Sequence, residues 1–328
     1  MKKAIIFDCD NTLWKGVVGE EEIQHDTELQ QDIIFLAKRG VIIGLCSKNN
    51  EEDVTEAMKD QLLTDEYISV KRINWKDKVS NLKEIAQELN IGLDAMVFVD
   101  DSEFERELVK KQLPEVMTII PKDLMTIVLD NFDLRGDFTK TQQYKDNYQR
   151  AKAKEQFSDI NDYLASLDMV LAIKVNDVSQ IARITELTQK TNQFNLTTKR
   201  YTEDLILHAM KYPSMVFSMS VRDKFGDNGL TGVCIVRGTS IDLFLLSCRI
   251  LGRKLEYAFM DYIINYLKDN HYQVLIGTYI ESPKNSQTKD FYSNCGFECI
   301  NTTGQIITFV LPFINYKPIG EKYICYAE

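Results

Sequence analysis

Two carboxylates, Asp8 and Asp10, stand two residues apart in FDCDNTLW, at the end of the apolar run AIIFD. Residues two apart in an extended chain project to the same side, so both can face one ligand. Such a pair suits a Mg²⁺ ion and a nucleophile beside a proton-transfer group. Cys9, between them, points the other way and reads as core filler. Three further pieces follow in order. Ser47 closes VIIGLCS and can hydrogen-bond a phosphate oxygen. Lys78, in INWKDKVSN, offers a cation to balance a phosphate and an attacking aspartate, and Lys76 could serve in its place. Asp100 and Asp101 close AMVFVDD and can complete a metal shell. A lone pair of aspartates reads better as a turn or a helix cap. Four pieces in this order, most of them at carboxyl ends of predicted parallel strands, favour a phosphoryl-transfer site instead.

The elements that must position these residues are legible as a rhythm. AIIFD (4–8), VIIGLCS (41–47), YISVKRI (67–73), AMVFVD (95–100) and EVMTII (115–120) read as strands. Segments with helical periodicity lie between them: 28–40, 51–62, 79–90 and 103–112. That alternation predicts an α/β fold, a Rossmann-like parallel sheet covered on both faces. Residues 139–157 turn polar and helix-prone, which predicts a linker. Three segments result: 1–135, a helical linker 136–165, and 166–328. The last reads as strand, two helices, a three-strand meander, helix, strand, short helix, strand, an α+β arrangement. FGDNGLTG (225–232) reads as a turn inside the meander, with Asp227 and Asn228 conformational.

The 328 residues suffice for two cores. Seven unpaired-looking cysteines and three histidines argue against a disulfide framework and a zinc site. The net charge of −10 argues against nucleic acid as a partner. No apolar run is long enough to span a membrane, and a cytoplasmic location is expected.

The N-terminal residues resemble the haloacid-dehalogenase (HAD) superfamily over about the first 130 positions. That resemblance implies Asp8 as the nucleophile forming an aspartyl-phosphate and Asp10 as general acid/base. It implies Ser47 and Lys78 as phosphate ligands. Asp8, Asp10 through its carbonyl, and Asp100 or Asp101 would hold Mg²⁺. The segments LCSKNNEEDV, VFVDDSEFERELV, LTQKTNQFNLTTKRY, DKFGDNGLTGV and LSCRILGRKLE extend the likeness to the FkbH-like family, which joins a HAD domain to a GNAT-like domain. The resemblance implies a glyceryl transferase/phosphatase. Such an enzyme takes a phosphorylated three-carbon acyl group from 1,3-bisphosphoglycerate, removes the phosphate and loads an acyl carrier protein on its phosphopantetheine thiol.

Cys248 makes chemical sense in that scheme. It follows the strand IDLFLLS and precedes a predicted helix, with Arg249, Arg253 and Lys254 nearby. A helix N-terminus and cations favour a thiolate, which can capture an acyl phosphate as a thioester. Arg249 is also a phosphate ligand candidate. The competing reading of Arg249-Ile-Leu-Gly252-Arg-Lys254 is the pyrophosphate loop of an acetyl-CoA-dependent N-acetyltransferase. Lys254 stands there where that loop has a small residue. Asn192, Gln193 and Asn195 are candidates for an acyl pocket, or belong to a polar surface loop. Lys199, Arg200, Arg253 and Lys254 are candidates for a basic face that meets an acidic carrier. No general base for Cys248 stands out.

Overall fold

The computed structural model describes residues 1–59, 61–89 and 91–327, with Lys140 by its backbone alone. Asp60 and Asn90, inside two predicted helical segments, and Glu328, the end of the predicted last segment, lie outside the described residues. Two compact units divide the chain, Met1–Ala153 and Lys154–Glu328. The predicted linker 136–165 supplies a helix to each.

In the first unit, β1 (Ala4–Phe7) leads into a short hairpin, β2 (Trp14–Lys15) and β3 (Gln24–His25). Then come α1 (Thr27–Lys38), β4 (Ile42–Ser47), α2 (Glu51–Ala57), β5 (Val70–Ile73), α3 (Lys78–Glu88) and β6 (Met96–Val99). The unit closes with α4 (Glu103–Gln112), β7 (Met117–Ile119), α5 (Leu124–Asn131) and α6 (Thr139–Lys154). Five strands form one sheet in the order β5-β4-β1-β6-β7, every pair parallel. The period-2 pleat sorts β1 onto two cores. Ile5 and Phe7 face one with α1 and α5, and Ala4 and Ile6 face the other with α3 and α4. Ile5, Ile6 and Phe7, fully buried, contribute roughly 1.5–3 kcal/mol each. Gly44, in β4, is required by close packing, because a Cβ there would lie 2.7 Å from both Ile6 Cδ1 and Val70 Cγ1. The strand order reverses between β1 and β6, so a crevice opens beyond the carboxyl ends of those two strands.

The second unit starts with α7 (Ile160–Ala165), β8 (Val170–Val175), α8 (Ile181–Lys190), β9 (Phe194–Asn195) and α9 (Glu203–Ala209). The meander is β10 (Ser214–Asp223), β11 (Gly226–Arg237) and β12 (Ser240–Leu246). After it come α10 (Leu255–Asp269), β13 (Val274–Ile280), α11 (Phe291–Asn294), β14 (Glu298–Thr303), β15 (Ile306–Pro312) and β16 (Cys325–Tyr326). The sheet order is β14-β15-β13-β12-β11-β10-β8-β16, with β9 on β12. This is the expected α+β layout. FGDNGLTG is largely strand rather than turn. The reversal falls at 224–225, and the segment runs inside β11 with register shifts opposite Ser220. The parallel pair β12–β13 meets through Ser240 and Ile276, and farther along the edge of β12 is taken by β9 at Leu245 and Leu246. No helix among the described residues is long and apolar enough to cross a membrane.

Candidate functional site

The first unit gathers its chemistry at the carboxyl ends of β1, β4 and β6. The chain leaves β1 in a tight turn, with the N–H groups of Thr12 and Leu13 both donating to the Cys9 carbonyl (3.1 and 2.8 Å). Asn11 adopts φ 54°, the left-handed region that asparagine tolerates. This turn leaves Asp8 buried at the base of the crevice and puts Cys9 into the core, as expected of a filler. Asp77 caps α3 by accepting from the Ser80 N–H (2.8 Å), which fixes Lys78 as the first helical residue. From there the Lys78 ammonium reaches Asp8 Oδ1 at 2.9 Å and Asp100 Oδ2 at 2.6 Å. Lys76 points elsewhere, to Glu84 at 3.3 Å. Ser47, buried at the end of β4, lies beside the Asp8 carboxyl and helps to hold it down against burial.

Asp100 and Asp101 sit on the loop between β6 and α4, which Ser102 caps through the Glu105 N–H (3.4 Å). Carboxylate oxygens of Asp8, Asp100 and Asp101 all lie within 4.8 Å of one another. Three hard oxygen donors, one of them on the exposed Asp101, fit Mg²⁺, which keeps several waters of its own. The Asp10 carboxylate is not in that group. Its Oδ1 accepts from Trp14 Nε1 (2.9 Å) and the Val18 N–H (3.1 Å), and its Oδ2 from Asn49 Nδ2 (2.8 Å). Any contribution of Asp10 to a metal is left to its main-chain carbonyl.

Burial dominates the electrostatics. It pushes the Asp8 carboxyl up to about 6 against the opposing pull of the Lys78 ammonium, with the Asp100 charge adding to the rise. Burial likewise raises Asp100, again opposed by Lys78. For Lys78 burial works downward, but the charges of Asp8 and Asp100 outweigh it and hold the ammonium above its ordinary value. One cation shared by two carboxylates leaves net negative charge in a dry crevice. A divalent cation would neutralise it.

Sequence reading gave no role to several side chains around this crevice. Thr12 links the two loops: its hydroxyl donates to Asp101 Oδ1 (3.4 Å) and accepts from the Asp101 N–H (3.2 Å). Arg106 Nη1 donates to the carbonyls of both Asp100 and Asp101, each at 2.7 Å, fixing the carboxylate loop. Lys48-Asn49-Asn50, directly after Ser47, spreads three ways. Lys48 pairs with Glu105 (2.6 Å), Asn49 holds Asp10, and Asn50 accepts from the indole of Trp75 (3.0 Å). The run of polar residues after a strand-end serine was the available signal.

In the second unit the expectations fare differently. Cys248 is exposed, as are Cys299 and Cys325, while Cys9, Cys46, Cys234 and Cys295 are buried. Cys248 belongs to a 3₁₀ turn, Cys248–Ile250, and α10 begins only at Leu255. The helix terminus invoked to activate the thiol is therefore not at Cys248, because Gly252 (φ 78°) and Lys254 (φ 60°) break the path between them. Arg249 donates to Ser247 Oγ at 3.3 Å. Arg253 is buried and paired with Asp223 at 3.0 Å, so it is not a surface cation. Lys254 reaches Glu321 (2.6 Å) and Asn161 (2.9 Å), Lys199 pairs with Asp242, and Arg200 donates to the Thr188 and Thr191 carbonyls. Each supposed docking cation is engaged within its own unit.

The acyl-pocket candidates are also rearranged. Asn195 is fully buried; its Oδ1 accepts from the Thr197 and Thr198 N–H groups and its amide donates to the Thr191 carbonyl, so it holds the turn after β9. Asn192 accepts from Arg200. Gln193 is exposed, and its carbonyl accepts from Gln287.

Neither a protein-family model nor a curated protein matches the chain. Among solved structures, the N-terminal part of a Bacteroides fragilis protein, containing a phosphatase domain and complexed with Mg, is 38% identical over 40% of this chain and 41% of that chain, with a TM-score of 0.37. The match thus spans less than half of either chain. An N-acetyltransferase from Staphylococcus aureus Mu50 is 19% identical, covering 44% of this chain and 99% of its own, at a TM-score of 0.33. The ribosomal-protein-S18-alanine N-acetyltransferase from Escherichia coli is 13% identical over 44% and 94%, at a TM-score of 0.35.

Proposed function

We propose that the chain is an enzyme coupling a Mg²⁺-dependent, aspartate-nucleophile phosphatase to an acyltransferase. Its substrate is the phosphorylated glyceryl group of 1,3-bisphosphoglycerate and its acceptor an acyl carrier protein. The observation that carries the phosphatase half is Lys78 set between Asp8 and Asp100, with Ser47 and Asp101 close by. A phosphate monoester entering the crevice meets an aspartate oxygen for in-line attack. Ser47 and Lys78 orient its peripheral oxygens, and Asp10 serves in proton transfer. Mg²⁺, held by Asp8, Asp100, Asp101 and the Asp10 carbonyl, would neutralise phosphoryl charge when bound.

The acyl half rests on Cys248 being the exposed thiol on the loop that follows β12, close in sequence to Arg249. Thiolate attack on the carbonyl carbon of the acyl phosphate forms a thioester and releases inorganic phosphate. Hydrolysis of the remaining phosphate ester then leaves the glyceryl thioester, which the phosphopantetheine thiol of the carrier collects by thioester exchange. An acetyl-CoA-dependent reaction has less support. The long, charged Lys254 side chain occupies the third position of the loop, and the edge of β12 at Leu245 and Leu246 is already paired with β9.

Intact-protein mass spectrometry after incubation with 1,3-bisphosphoglycerate and Mg²⁺ tests this reading. Wild type should carry a glyceryl adduct, Asp8→Asn a phosphorylated adduct, and Cys248→Ala none. An adduct that persists in Cys248→Ala would refute the thiol route. A wild type that binds acetyl-CoA and takes no adduct would replace the acyl half with acetyl transfer.

A further inference from the structure

The hydrogen bonds on Asp10 single out one of its two oxygens. A carboxylate oxygen has two acceptor positions. Trp14 Nε1 and the Val18 N–H fill both on Oδ1, whereas Asn49 Nδ2 takes one on Oδ2. Among the described residues nothing occupies the second position of Oδ2. The orientation of Asn49 is itself fixed. Its Oδ1 accepts from the Asn50 N–H at 2.9 Å, so the NH₂ end must face Asp10. Asn49 is 5% exposed, and Asn50 is tied to Trp75 and to Asp53 (3.0 Å), which anchors the loop that carries both.

We propose that Oδ2 is the proton-carrying atom of Asp10 and that Asn49 is the positioning residue that aims it. This deepens the phosphatase reading and rests on it. In the first half-reaction an Asp8 oxygen bonds to phosphorus, the ester P–O bond breaks, and the departing oxygen takes the proton from Oδ2. In the second, a water oxygen bonds to phosphorus, the aspartyl P–O bond breaks, and the water proton returns to Oδ2. Inorganic phosphate leaves, and both carboxyl groups recover their starting forms. Asn49 does not touch the substrate in this scheme. Its effect must therefore depend on how much the leaving group needs a proton.

That dependence supplies the test, run with Mg²⁺ on two probes, glycerol 3-phosphate, whose alkoxide needs a proton, and p-nitrophenyl phosphate, whose phenolate does not. General acid–base catalysis is worth ~10²–10⁴-fold, so Asn49→Ala should lose about tenfold more kcat on glycerol 3-phosphate than on p-nitrophenyl phosphate. KM should change little for either. In an Asp10→Asn background the same substitution should add almost nothing on either probe. Asn49→Ser, a smaller change to the loop, should repeat the pattern if Asn49→Ala fails to fold. Equal losses on both probes, or a loss confined to KM, would reduce Asn49 to a structural or binding role and overturn the proposal alone. A folded wild type inert toward both probes would overturn the phosphatase reading and the proposal with it.

Discussion

Arg253→Met measures the cost of taking one cation away from a buried carboxylate. In the native second unit the Asp223 side chain is 0% exposed, and Arg253 pairs with its Oδ2 at 3.0 Å while itself 10% exposed. Asp223 Oδ1 accepts from the N–H groups of Phe225 (3.0 Å) and Gly226 (3.2 Å), which hold the carboxylate in place whatever happens to its partner. Methionine retains most of the aliphatic packing and removes the charge. Breaking a buried pair from one side costs about 3–5 kcal/mol. The carboxylate can offset the loss of Arg253 by taking up a proton. At pH 7 that costs about 4 kcal/mol for a carboxyl of ordinary affinity, at ~1.4 kcal/mol per pH unit, so protonation sets the ceiling. The variant should therefore be about 3–4 kcal/mol less stable at pH 7, with Tm lowered by roughly 6–16 °C. Its deficit should shrink by about 1.4 kcal/mol for each pH unit of acidification toward pH 5. Asp223→Asn placed on top should recover at least half of the loss at pH 7. Denaturant titrations of the three proteins at pH 5, 6 and 7 give the numbers. A deficit below about 1 kcal/mol, or one that does not vary with pH, would refute the reading of Arg253 and Asp223 as a buried ion pair.

Asp8 predicts a pH effect of its own. Burial raises its carboxyl from 3.8 to about 6 in the folded protein. Over that window the folded form binds the extra proton. Metal-free protein should gain stability as pH falls from 7 toward 4, by at most about 3 kcal/mol. Asp8→Asn should flatten that component of the profile in EDTA, and a profile unchanged by the substitution would contradict it. Arg106→Ala, by freeing the carbonyls of Asp100 and Asp101, should weaken Mg²⁺ binding about 10–100-fold while leaving the fold intact, as read by calorimetric titration.

Much of the first unit was legible because its signals are periodic. Strand runs ending in Asp8, Ser47 and Asp100 alternate with amphipathic helices, and strands of this kind carry their ligands at their carboxyl ends. The choice between Lys76 and Lys78 was not legible. It depends on the Asp77 cap, which makes Lys78 the first residue of α3 and turns Lys76 toward Glu84. The two-residue strands β2, β3, β9 and β16 are too short to show any period; β2 and β3 pair with each other, and β9 and β16 form against β12 and β8. Asn195 misled for a related reason. An amide in a polar stretch looks like a ligand-binding group until β9 pairs with β12 and draws it inside. Cys248 misled because a strand followed by a helix was read as a direct junction. Gly252 and Lys254, both at positive φ, insert a loop between them.

The order of the first sheet also bears on how this unit comes together. β1 is central, yet its partners β4 and β6 lie well downstream in the chain, and the crevice draws on Asp8, Ser47, Lys78 and Asp100 from four separate segments. Contacts so distant in sequence form slowly, because loop closure precedes their reward. A partly zipped sheet could contain Asp8 and Ser47 and still lack Asp100. Tight binding of a divalent cation would then serve as a stopwatch for completion of the whole sheet during refolding, appearing only after β6 has docked.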